Sequence, residues 1–123
     1  MTFHIMAWVM TVAAALLGLR FTFGGAGMLK EWGIEVSTGA VMLFRRLGLV
    51  YLALGLIFFL ARDAGPSDLR SAVCLVMAGA VAALGVLGLF EYMAGRAGRG
   101  MVLAAVGEFV LAAAFIWVWW GGQ

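Results

Sequence analysis

Four apolar runs, each near the length of a bilayer crossing, are separated by short connections that hold most of the helix breakers. The runs cover about residues 3–25, 39–61, 69–94 and 101–120, and the connections read GGAGMLKEWGIEVST, RDAGPSD (with the sole proline) and GRAGRG. A helix needs about 20 mostly apolar residues to cross the hydrocarbon core. In lipid every backbone amide must be satisfied internally, so only helices or a closed barrel are admissible, and these runs lack strand alternation. The fold expected is therefore an all-α membrane protein. Connections this short make consecutive helices neighbours, giving a single domain over residues 1–123: an antiparallel up-down-up-down bundle of four transmembrane helices. Ser67 and Asp68, directly after Pro66, predict an N-cap for the third helix.

Composition agrees with this class. Of 123 residues, 66% are hydrophobic and 11% charged, against about a quarter charged in soluble domains. The mean hydropathy is +1.12. The eight Lys and Arg residues are dispersed, so no basic stretch points to a nucleic-acid partner. Cys74 is the sole cysteine and His4 the sole histidine. Zinc sites need three or four converging ligands, so no metal and no cofactor is expected, and His4 reads as an interfacial polar residue. The opening MTFHIMAWVM carries no Lys or Arg, and thus lacks the positive region of a signal peptide. Despite the small run Ala13, Ala14 and Ala15, the segment reads as a retained helix.

Four spans put both termini on one side, face A, and the first and third connections on the other, face B. Arg20, Lys30, Arg45, Arg46, Arg96 and Arg99 lie toward face B, and Arg62 and Arg70 toward face A. The positive-inside rule then places face B in the cytoplasm and the termini outside. The expected location is the inner membrane of a bacterial cell, as a multi-pass protein with membrane lipids around it. WVWW at 117–120 and Trp8 read as an aromatic belt at face A, with Trp32 at face B. Gly48 and Gly55 on the second run, and Ala78, Ala82, Gly85 and Gly88 on the third, read as helix-contact surfaces, because small residues let backbones approach in lipid. GRAGRG is read as a connection, not as a nucleotide loop.

The most informative feature is a layer of charge. At about 1.5 Å per residue, Arg20 lies about 7 Å from the face-B end, Arg45 and Arg46 about 10 Å in, Glu91 about 5 Å and Glu108 about 10 Å. Every helix contributes, and all five residues fall in one half of the membrane. A charge there costs about 2.5–3.5 kcal/mol on insertion scales and normally finds a protein partner or water. Arginine–carboxylate pairs are the natural form. Adjacent helical residues point about 100° apart, so one arginine of the pair is expected to face inward toward Glu108 or Glu91 while the other snorkels to headgroups. Arg45, aligned with Gly48, Leu52 and Gly55, is favoured as the inward one. Tyr51, one turn further on, either completes a polar pocket or caps the network. Three arginines against two glutamates leave one positive charge to be met by a lipid phosphate or another anion.

The segments GLRFTFGGAGMLK and RRLGLVYLALGLIFFLARD resemble the small bacterial DoxX-like membrane proteins. That resemblance implies a four-helix integral membrane fold, with redox or thiol-stress partners for some members. This chain has no CxxC pair, so no redox role and no catalytic residue is carried over. The small multidrug transporters are similar in size, but their key glutamate sits in the first helix, where this chain has Arg20. Three readings stay open. The first is a membrane protein that binds lipid or a partner protein, in a homo-oligomer or larger complex, through Arg20, Arg45, Arg46, Glu91, Glu108 and Tyr51. The second is a proton-coupled or anion transporter using Glu108 with Arg20, Arg45 and Arg46. The third and weakest is a lipid-modifying enzyme, since no nucleophile–base pair is present.

Overall fold

A computed structural model describes residues 2–121. Within them all regular structure is helical: α1 (Thr2–Phe23), α2 (Gly25–Glu31), α3 (Thr38–Ala61), α4 (Asp68–Met93) and α5 (Arg99–Gly121). The four long helices, α1, α3, α4 and α5, are each long and apolar enough to cross a membrane, as expected of a multi-pass membrane protein. Their outward faces carry bare aliphatic side chains such as Leu60 and Leu103, exposed at 71% and 76%. Hydrocarbon, unlike water, accommodates such surface at no loss.

The first connection departs from the sequence reading. It contains a helix, α2, where a loop was expected, and α1 ends at Phe23. Gly24, at φ −119°, interrupts the helical ladder, and its N–H donates to the Arg20 carbonyl at 2.6 Å. The chain then turns because Met28 and Leu29 have an apolar site to fill: they are only 3% and 1% exposed. The later helices begin where side-chain caps allow. Ser37 accepts from Ala40 N–H and Ser67 from Arg70 N–H, each at 3.1 Å, the second as the sequence predicts. Replacing Ser67 by Ala should lower stability by about 1 kcal/mol, read as a lower thermal midpoint in detergent. An unchanged midpoint would mean that solvent or lipid headgroups satisfy that amide equally well.

Packing divides the long helices into two pairs, α1 with α3 and α4 with α5. Glycine makes both pairs close. A Cβ on Gly18 would lie 2.9 Å from the Gly48 carbonyl oxygen, and one on Gly55 would lie 3.3 Å from that of Thr11. In the other pair, Gly85 lies under the Phe109 ring and Gly88 under Met101 and Ala105. The sequence reading of Gly48, Gly55, Gly85 and Gly88 as contact surfaces therefore holds. Its assumption that all consecutive spans are close neighbours does not. α3 and α4 have no Cα atoms within 8 Å of one another, and the pairs meet through α1 and α5. Bulky side chains fill that seam instead: Phe3, Met6, Met10, Phe58, Cys74 and Phe115 form one buried cluster, with the Phe58 and Phe115 rings 5.9 Å apart.

Candidate functional site

Contacts place the ends of the molecule. At one end His4 Nδ1 lies 3.0 Å from Asp63 Oδ1 and 3.1 Å from the Arg62 carbonyl, joining the start of α1 to the α3–α4 connection. Arg62 spreads over the Phe59 ring, 4.2 Å from its centroid, and lies 5.7 Å from that of Trp8. Arg70 covers Phe3 at 4.9 Å. Trp117 and Trp120 stand outward at this end, 73% and 75% exposed.

At the other end α2 clasps the α4–α5 connection. Gly98 N–H donates to the Trp32 carbonyl at 2.6 Å. Gly33 takes φ +71° there, in the left-handed region open to glycine, and a Cβ on it would meet Gly98 N at 2.7 Å. GRAGRG thus serves as a backbone docking surface. Trp32, half-buried, belongs to an aromatic cluster: its ring packs edge-on to Phe21 at 6.0 Å and to Phe44 at 5.6 Å.

The charged residues singled out in the sequence separate into three groups. Arg20 lies in the last turn of α1 and pairs with Glu31 at the end of α2, both side chains about half exposed. Glu91, near the end of α4, pairs with Arg96 in the following turn. The hydrogen bond that Arg96 Nε–H donates to the Glu91 carboxylate, together with the charge of that carboxylate, raises the Arg96 pKa above its already high ordinary value. Both pairs are therefore local contacts at helix ends, where the sequence reading expected a deep cross-helix network. Their partners, Glu31 and Arg96, were missed because each lies in a connection whose conformation decides the contact. The five-residue spacing of Glu91 and Arg96 across a helix end was the available signal.

The second group is Arg45 and Arg46. Both are exposed, and neither is among the ion pairs or hydrogen bonds found within the described residues. The expectation that Arg45 points inward to Glu108 or Glu91 is corrected. Contact with α1 is made by Gly48 and Gly55, while both arginines stand exposed outside it.

Glu108 stands by itself. It is half-buried on α5, with no ion pair or hydrogen bond within the described residues. Tyr51 of α3 is also half-buried. The Tyr51 ring stacks on Phe21 with centroids 5.3 Å apart. Glu108 lies seven residues before Phe115, on the face of α5 that turns to the buried cluster. Among the described residues no three His, Cys, Asp or Glu side chains group to hold a metal ion. Comparison with family models, curated proteins and solved structures finds no match to this chain.

Proposed function

We propose that this protein binds anionic lipid through Arg45 and Arg46. The observation that carries the reading is their exposure on the outer side of α3 without an acidic partner, whereas Arg20 and Glu91 are engaged locally. The neighbouring Leu43, Leu49 and Val50 are 65%, 62% and 63% exposed, so the arginine stems lie along apolar surface facing lipid. A guanidinium in that setting extends to the headgroup region and grips a phosphate with paired N–H groups.

The wider setting is part of the same proposal. Contacts run from His4 with Arg62 to Phe21 with Phe44, a descending register that supports an antiparallel α1–α3 pair in an up-down-up-down bundle. The basic excess at the α2 end supports a cytoplasmic placement of that end, with the termini outside, in a bacterial inner membrane. The DoxX-like resemblance remains a proposal on the same footing.

The test is lipid preference. Delipidated protein is mixed with phosphatidylglycerol or phosphatidylcholine in micelles, and retained lipid is read by native mass spectrometry. Each basic residue near a headgroup contributes about 1 kcal/mol, so R45Q/R46Q should lose about 2 kcal/mol of anionic preference, roughly thirtyfold. Equal preference in wild type and variant would remove the reading; bound protein in place of lipid would redirect it to a partner complex.

A further inference from the structure

The middle of the membrane-spanning region contains few groups that can carry charge. Between His4 and Arg20, α1 has no ionisable side chain; between Arg46 and Arg62, α3 has only Tyr51; between Arg70 and Glu91, α4 has only Cys74. Beyond Arg99, α5 has only Glu108. The α4 residues packed against this stretch of α5, Gly85 and Gly88, bring no charge, and the Lys30 and Glu31 of α2 lie at its end. Glu108 is nine residues from the start of α5, about 14 Å along the axis.

Apolar packing closes the seam on both sides of this carboxyl. About 10 Å further along α5, Phe115 is fully buried against Phe58, with Met6 and Met10 beside them. Toward the α2 end lie Phe21, Phe44 and Trp32, with Tyr51 at their border. A neutral carboxylic acid suits such a place. A carboxylate there has no ion pair or hydrogen bond among the described residues and a large desolvation penalty, which water entering the seam would relieve. The seam is also where the bundle can yield, since close packing at glycines holds α1 to α3 and α4 to α5, whereas nothing holds α3 to α4 in the same way.

We propose that Glu108 is a proton-binding site in the seam between the two helix pairs, and that loss of its proton loosens the seam. The transferred species is a proton, leaving the carboxylic acid for water and returning from it; no other bond is made or broken. The proposal is independent of lipid binding by Arg45 and Arg46, and R45Q/R46Q should leave it intact.

The native chain carries its own reporter. Cys74, its sole cysteine, is 1% exposed within the Phe58–Phe115 cluster, so its reaction with a maleimide reports opening of the seam. Wild type and E108Q, in the same micelles, are labelled over a pH series. Their ratio at each pH cancels the thiol's own titration. The expected result is a wild-type rate that climbs above that of E108Q as pH rises, with the difference lost at low pH. A ratio independent of pH overturns the coupling. The infrared carboxyl C=O band of the wild-type protein reads proton binding directly. It should vanish on raising the pH and shift in E108D, a test that stands even where E108Q does not fold. Absence of a band assignable to Glu108 over the whole series overturns the site itself.

Discussion

Gly48→Ala is expected to unfasten α1 from α3. The added Cβ would run into the Thr22 hydroxyl, lie 2.7 Å from the Gly18 carbonyl oxygen and 2.8 Å from Thr22 N. Thr22 can rotate only by giving up its own bond to the Gly18 carbonyl, at 2.7 Å, and the two backbone atoms cannot move without the helix. Overpacking of this kind costs about 1–3 kcal/mol, and the upper end applies because backbone must shift along the whole interface. In lipid the separation is not resisted by a hydrophobic penalty, so tight packing is the main force lost. The measurement is thermal unfolding in detergent, followed by circular dichroism. Gly79→Ala is the control: a Cβ there meets nothing within 4 Å, and the substitution should be neutral or stabilising by up to about 1 kcal/mol. Equal midpoints for the two variants would sink the close-contact account.

Gly100→Ala should act at the other end of the molecule, with a comparable cost and a different signature. The new Cβ would strike the Glu31 carbonyl, lie 2.8 Å from its carbon and 3.3 Å from the Trp32 ring. To make room, the end of α2 must lift from the start of α5. That motion breaks the Gly98 N–H bond to the Trp32 carbonyl and moves Glu31 away from Arg20. About 1–3 kcal/mol of stability should be lost, together with protection of the Gly98 amide in hydrogen exchange. Protection retained at Gly98 would mean that the clasp can open elsewhere to admit a methyl group.

These two glycines differ in how far their role is written in the sequence. Gly48 was legible, because a glycine on a stripe of small residues within a lipid-crossing helix has few uses besides close approach. Gly100 was not. It lies in a run that reads as an ordinary flexible connection, and its importance depends on α2 folding back to meet it. The same distinction separates the charged residues. Their presence toward one half of the membrane followed from counting along each helix. Their partners did not, since Arg20 meets Glu31 across the break at Gly24, and Glu91 meets Arg96 across the end of α4. Depth along a helix is a one-dimensional quantity, whereas pairing depends on rotation about its axis and on how the connections turn.

Four helices long and apolar enough to cross a membrane, the Ser67 cap and the glycine contact stripes were determined by the sequence itself, because hydrophobic length, capping chemistry and side-chain size act locally. The tertiary structure decided that the helices join as two glycine-fastened pairs, that Arg45 and Arg46 stand exposed, and that Glu108 is half-buried without an ion pair or hydrogen bond among the described residues. Those outcomes depend on which helix faces fill the same space, and many rotations satisfy the same apolar pattern until close packing selects one.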